Sequence, residues 1–358
     1  MTFRDFLLFI FVFLLAGCSS MNSTNPDKKI INNNPQEARI LFAGDLMLDW
    51  GIQDIIIKEG VEYPLKNLKE FLHRFDYRFC NLECPITSKG EVHPDKKYVF
   101  RGKPEHIALL KYAEINGVSL ANNHACDYGR TGLLDTIDNL TKNKIDTAGA
   151  GENLKSAHLP LTININNIKL AVLAYASVAY DDSFAGKNSP GIAMAKIELI
   201  KDDIKKYKSS YDFIIVSIHW GDEYSEYPSD RDIKIAHQII NSGADAVLGH
   251  HPHIFQGIEI YEDKPIIYSL GNFVFGSVNE DARENIVVEI CFLKNRIKSF
   301  QVFPLNGNGN SKQHFQYSLL KGDAASASLG HLINISKPLK SKFTQNSIID
   351  GAVLSYTF

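Results

Sequence analysis

The residues of this chain that could do chemistry stand where apolar runs end. Asp45 closes ILFAG, Asn81 and Glu83 follow YRFC, and Asn122, Asn123 and His124 follow VSLA. His219 follows FIIVSI, and His250, His251 and His253 follow DAVLG. An ionisable group at the end of a buried strand is costly to desolvate unless it is paired or bound to a metal. The ends of strands are also where open α/β sheets place ligands. Asp45 and Glu83 offer carboxylate oxygen, Asn123 offers amide oxygen, and His219, His250 and His253 offer imidazole nitrogen. Such a mixed set suits Mn, Zn, Fe or Co rather than Ca, which takes oxygen alone. With one or two such ions, it can support metal-assisted hydrolysis.

Within Gly249-His250-His251-Pro252-His253 the pattern makes a sharper expectation. If the strand stays extended to His250, successive side chains alternate faces, so His250 and His251 cannot both point at one site. Pro252 biases His251 toward an extended conformation, and the chain can then turn and return His253 to the side of His250. His250 and His253 are therefore the expected ligands, with His251 pointing away or supporting from behind. The alternative pair, His251 with His253, stays open because they too are two apart.

Other polar residues read as structural. Asn122 suits a turn, Asp127 a cap or the orientation of a neighbour, and Asn272 a turn near the site. Cys126 beside His124 has no separate base to activate it. Gly44 and Gly249 suit close backbone packing at strand ends. His73, His106 and His237 fall within amphipathic helices and read as solvated, while His93, His158, His314 and His331 fall in loops.

The elements that must position these groups follow from hydrophobic periodicity. Strands are expected over 39–43, 77–82, 118–121, 213–218 and 246–248. Helices are expected over 64–75, 104–115, 132–143, 196–207 and 229–242, the last capped by Ser229 and stopped at Gly243. Hairpins are expected over 163–174, turning at Asn166-Asn167, and over 258–270, turning at Glu262-Asp263-Lys264, with two more strands over 286–303. Helices between short apolar strands argue for an α/β layer fold with two sheets. The stretch 306–358 has poor periodicity and reads as a surface extension.

The chain has 358 residues, 44% hydrophobic and 22% charged, which is ordinary globular usage and excludes disorder, collagen and coiled coil. Its 38 Lys and Arg against 41 Asp and Glu give a net charge of -3, without the basic footprint of a nucleic-acid binder. Phe6 to Leu15 is unbroken apolar, about half the ~20 residues of a membrane span but suited to a secretory signal. The run closes on Leu15-Ala16-Gly17-Cys18, which resembles the bacterial lipoprotein lipobox. That resemblance implies removal of 1–17 and lipidation of Cys18. The product would be an exported lipoprotein attached to a membrane at the outer face of the cell envelope. Residues 18–37, polar and rich in Asn and Ser, read as a tether. The remaining cysteines, Cys80, Cys84, Cys126 and Cys291, lack the spacing of a disulfide framework and read as buried thiols.

Seven motifs in order carry a more specific likeness: GDLMLDW (44–50), NLECPIT (81–87), FRGKPE (100–105), ANNHACDYG (121–129), SIHWGDEY (217–224), GHHPHIFQ (249–256) and IIYSLGNFVF (266–275). Together they resemble the CapA-type capsule synthesis proteins, which are associated with poly-γ-glutamate capsule and related to the calcineurin-like metallophosphatases. The resemblance implies a four-layer α/β/β/α sandwich over 38–305 with its site at the strand ends. It implies metal ligation by Asp45, Asn123, His219, His250 and His253, a bridging carboxylate at Glu83, and protonation of a leaving group by His124. Metallophosphatases usually carry a histidine two residues after the first aspartate, where this chain has Met47, and many capsule relatives carry arginine where it has Trp50. Arg101 is then the candidate for holding a substrate carboxylate or phosphate. The implied function is capsule polymer biosynthesis, with a metal-dependent hydrolase acting on a phosphoester or γ-linked amide. The alternative is a non-catalytic accessory that binds or exports the polymer through the same cleft. The implied partners are the anionic polymer or its precursor, other capsule synthesis and export membrane proteins, and the membrane itself.

Overall fold

A computed structural model describes residues 36–276, 284–307, 315–341, 343–348 and 351–358. The lipobox with Cys18, the signal segment 1–17, most of the tether and His314 lie outside the described residues. Among those described, no helix is long and apolar enough to cross a membrane.

Two sheets organise the chain. The larger, nine-stranded sheet runs in the order Thr344–Ile348, Gly351–Thr357, Arg296–Asn306, Glu284–Leu293, Ala38–Leu46, Tyr77–Leu82, Gly117–Ser119 and Asp146–Ala148, with Asn272–Val274 paired to the end of Ala38–Leu46. The second, six-stranded sheet runs Ile258–Tyr261, Lys264–Ile267, Ala246–His250, Phe213–His219, Ile168–Ala176 and Leu161–Ile165. The strands that carry candidate site residues are parallel to one another within each sheet. Their C-terminal ends therefore lie side by side.

Alternation along the strands explains the layers. In Ile168–Ala176, Leu170, Val172 and Ala174 join the core shared with the large sheet. Ala171, Leu173 and Tyr175 face the other way, onto Ile200 and Ile204 of helix Ile197–Tyr207 and Ala236, Ile239 and Ile240 of helix Asp230–Asn241. Between the sheets, Phe213 meets Phe292 with ring centroids 4.8 Å apart. The crossovers between the parallel strands of the large sheet place helices on its far face. Helices Ile107–Tyr112 and Gly129–Lys142 lie there and bury Leu109, Leu110, Leu133 and Leu140. The result is a four-layer α/β/β/α sandwich.

Most expected elements are present with shifted ends. The helix expected over 64–75 is a 3-10 turn, Tyr63–Leu68, followed by one α turn, Lys69–Leu72. The carbonyl of Pro64 accepts from Tyr317 N at 2.9 Å rather than continuing an α ladder, which accounts for the tightening. The stretch beyond Asn306 corrects the expectation of a surface segment. Helix Gly322–Ser336 buries Ala325, Leu329, Leu332 and Ile335, and Gly351–Thr357 pairs with Arg296–Asn306. Ser336 and Ser341 hydroxyls accept from Ile258 N and Ile260 N, both at 3.0 Å, and so cover the edge of the second sheet.

Gly44 and Gly249 stand where the two sheets come closest to one crossing segment. A Cβ on Gly44 would lie 1.8 Å from Gly271 O, and one on Gly249 1.8 Å from Tyr268 O. Only glycine permits that approach.

Candidate metal centre

Register brings the donors together. Asp45 pairs with Asn81 on one side and Asn272 on the other, and His250 pairs with His219 in the second sheet. Asp45 Oδ1 accepts from Asn81 Nδ2 at 2.9 Å, and Oδ2 accepts from His251 N at 3.2 Å. His250 Nδ1 and His253 Nδ1 each lie 3.4 Å from an Asp45 oxygen. Burial opposes the charge on Asp45, but the two imidazoles outweigh it and hold the carboxyl well below its ordinary range.

Glu83 is the contrast. It is fully buried, and neither of its carboxylate oxygens has a hydrogen-bond partner. Burial, reinforced by the charge of Asp45, pushes its carboxyl well above the ordinary range. Around it stand imidazoles, with His219 Nε2 3.7 Å and His253 Nε2 3.9 Å from Oε1. Burial keeps His219 well below its ordinary value, and His251 is pushed down to about 4 by burial and then by His253. The His219 and His251 rings are accordingly neutral near pH 7 and keep a lone pair to offer. A buried carboxylate that no hydrogen bond relieves, with imidazole nitrogens beside it, is the electrostatic complement of a cation.

Two donor groups share that carboxylate. Ligand atoms of Asp45, Glu83 and His219 lie within 4.8 Å of one another, and so do those of Glu83, His251 and His253. Asn123 joins the first group, its Oδ1 lying 2.9 Å from His219 Nε2. Glu83 is thus placed to bridge two positions. These donors could hold a divalent metal ion.

The histidine cluster departs from the extended reading. The strand ends at His250, but His251 has φ 98° and His253 φ 61°, so the chain reverses instead of alternating. His251 therefore turns into the cluster, its ring 4.7 Å from His219 and 5.9 Å from His253. His250 lies beside Asp45, and its ring nitrogens have no hydrogen-bond partner.

His124 is buried, its ring 4.1 Å from that of Phe100. Its Nδ1 lies 2.8 Å from Asp127 Oδ2, which also accepts from Phe100 N at 2.7 Å. Lys96 contacts the other Asp127 oxygen and the carbonyl of Asn123. Asn122 is structural: its Oδ1 accepts from His124 N at 3.0 Å and its Nδ2 donates to Leu82 O at 2.8 Å. Arg101 stacks on Tyr128 at 3.4 Å, and its buried Nε has no hydrogen-bond partner. Its backbone is fixed by Asp49 Oδ2 at 2.7 Å and Gln53 Nε2 at 2.9 Å.

Met47 is fully buried, and its Sδ accepts from Asp49 N at 3.1 Å, so it offers the cluster no nitrogen or oxygen. Trp50, at φ 49°, lies edge-on to Phe100 at 4.8 Å. Two supporting residues escaped the sequence reading. Asn272 Oδ1 lies 3.0 Å from His253 Nδ1 and aims that ring, a role hidden in an apparent turn. Lys96 lies in the charged run Asp95-Lys96-Lys97, yet its side chain is 4% exposed. One histidine away from the cluster needs correction: His106, expected to be solvated, is buried, while His93 and His158 lie in loops as expected and are buried there. His106 Nδ1 accepts from Lys103 N at 3.1 Å, and His93 Nε2 lies 3.1 Å from Asp182. All four described cysteines are buried and free.

The chain has relatives among known proteins. It is 31% identical over 299 residues to the PGA biosynthesis protein CapA of Bacillus subtilis, covering 83% of this chain and 78% of that one. It is 29% identical over 300 residues to the capsule biosynthesis protein CapA of Bacillus anthracis, covering 82% and 73%. A Mycobacterium tuberculosis protein named as a probable polyglutamine synthesis accessory protein is 31% identical over 285 residues, covering 67% of this chain and 75% of that one. The structure aligns with the NAD nucleotidase of Haemophilus influenzae at a TM-score of 0.47 and 13% identity, over 83% of this chain and 62% of that one, a distance at which no role transfers. Residues 39–277, which contain every residue of the donor cluster, match the family of bacterial capsule synthesis protein PGA_cap, and the chain belongs to that family.

Proposed function

We propose that the protein acts in poly-γ-glutamate capsule biosynthesis, anchored at the cell surface through Cys18, and that its donor cluster is a metal-dependent hydrolytic site. The observation that carries the site reading is Glu83, a buried carboxylate with no hydrogen-bond donor on either oxygen, set among imidazoles. Asp45, Glu83, Asn123, His219 and His253, with His250 or His251, are the residues that would hold the ion. A divalent Mn, Zn, Fe or Co ion would supply Lewis acidity toward a phosphoester or γ-linked amide. The rest is chemistry of the chain itself. Asp127, braced by Lys96, holds His124 through Nδ1, so Nε2 is the atom that carries a proton to the leaving group. Arg101, pinned on Tyr128, offers its guanidinium to a carboxylate or phosphate of the polymer.

Met47 favours a second reading. A thioether in place of a nitrogen donor beside Asp45 weakens one ion position, which suits a polymer-binding or export accessory. Metal analysis of the purified protein, followed by hydrolysis of a generic phosphodiester and of a γ-linked glutamate oligomer with and without Mn, separates the two. The hydrolase reading expects bound metal and Mn-dependent turnover. Metal without turnover on either substrate moves the assignment to the accessory, and a parent protein that binds no divalent ion overturns the site. The anchor is tested separately: Cys18→Ser should release the protein from membranes, and an unchanged membrane fraction with an uncleaved N-terminus would refute lipidation.

A further inference from the structure

A second polar site lies outside the donor cluster. His158 follows the short helix Leu154–Ala157, and its ring is buried. Its Nδ1 lies 2.6 Å from Asp203 Oδ2, and the Tyr175 hydroxyl donates to the same oxygen at 2.9 Å. Asp203 projects from helix Ile197–Tyr207 on the outer side of the second sheet. The far nitrogen of the ring, Nε2, is buried and has no hydrogen-bond partner. The ring and Asp203 line a cavity of about 290 Å³, whose walls are Leu154 and Leu199 and whose charged lining is Lys155, Lys187 and Lys206.

Each part of this arrangement selects for the same kind of ligand. A carboxylate on Nδ1 fixes the ring orientation and leaves Nε2, the ring's other polar atom, without a partner in the cavity wall. Three lysines against one aspartate make the lining electropositive. The leucine walls suit methylene groups rather than a bare inorganic anion. A γ-linked glutamate chain has that composition, with methylenes in its backbone and one carboxylate on every residue.

We propose that this cavity is a binding site for a carboxylate carried on a short aliphatic stem, and that it holds a γ-glutamyl residue of the polymer outside the donor cluster. The identification of the polymer rests on the capsule reading above; the carboxylate site itself does not. The test titrates the purified protein with glutarate, with a γ-linked glutamate oligomer and with inorganic phosphate. It follows the ¹⁵N resonance of His158 Nε2 and the affinity by calorimetry. Glutarate and the oligomer should both move the His158 signal. Combined Lys155→Ala, Lys187→Ala and Lys206→Ala changes, all at exposed side chains, should weaken both by about tenfold or more while leaving bound metal unchanged. His158→Gln should do the same, and the lysine variant carries the test should the buried change disturb folding.

The outcomes separate the two levels of the claim. A His158 signal unmoved by glutarate and oligomer alike overturns the site, as does a lysine variant that binds both like the parent. Equal response to phosphate overturns the preference for an aliphatic stem. A response to glutarate but not to the oligomer keeps the carboxylate site and removes the polymer from it. Oligomer binding that survives the lysine changes but is lost in Glu83→Gln places the polymer at the donor cluster alone.

Discussion

Glu83 carries a heavy electrostatic burden, because both donor groups need it and no hydrogen bond relieves it. Glu83→Gln should therefore abolish bound metal, measured by elemental analysis after dialysis. His251→Ala and His253→Ala should each lose most of it, and His250→Ala should lose less. Asn272→Ala should lower metal affinity by about 10- to 100-fold without removing a donor, because it aims His253. His124→Ala should keep the metal while losing roughly 10²- to 10⁴-fold in turnover if the site is hydrolytic, the range for a lost general acid. Equal loss of metal in His124→Ala and Asn123→Ala would contradict that division of labour. The donors were legible in the sequence because each ends an apolar run, a place where a polar side chain needs a reason. The orientation of His251 was misread because the alternation rule assumes an extended backbone, and the chain reverses at His251 and His253. Lys96 left no trace and Asn272 read only as a turn residue near the site, since their partners are distant in sequence and only the fold supplies them.

Among elements, the strand ends at Gly44 and Gly249 are the least tolerant of change. Gly249→Ala should destabilise the protein by about 1–3 kcal/mol, the usual cost of overpacking, read as a lower urea midpoint with an unchanged slope. The same change at Gly330, whose added Cβ meets nothing within 4 Å, should not destabilise the protein. The buried parallel strands and both hairpin turns were readable, since 213–216 is a continuous apolar run and Asn166 and Asn167 both take the positive φ that asparagine tolerates. The edge strand Thr344–Ile348, sequence TQNSI, was not readable: its composition gives no alternating pattern, and it is a strand because Gly351–Thr357 pairs with it. Helix Gly51–Glu59 was missed as well, its three consecutive isoleucines fitting neither period.

For the whole molecule, acid should remove stability through paired carboxylates. Burial acts to raise the Glu114 carboxyl, but His73, Arg78 and Lys69 together hold it below its ordinary value. Its contribution is therefore present above the ordinary glutamate range and is lost as pH falls through the lowered value. Glu114→Gln should be less stable than the parent at pH 7, and the gap should close once acid takes the pH below the lowered Glu114 value. Because Glu114 is partly exposed, with its side chain 29% accessible, the gap should also narrow in high salt.

The pairing of the first described strand has a consequence for timing. Ala38–Leu46 is central in the large sheet, yet one neighbour, Glu284–Leu293, comes near the end of the chain, with Ala38 opposite Phe292. At roughly 5–20 residues per second, a ribosome needs on the order of tens of seconds to deliver that partner after the first strand emerges. Until then the large sheet cannot close around its own centre. A chain that stays open through most of its synthesis remains threadable, which is the state in which a secretory channel takes a polypeptide. Late closure thus gives the proposed export a kinetic window, and the sheet is completed only once the C-terminal strands arrive.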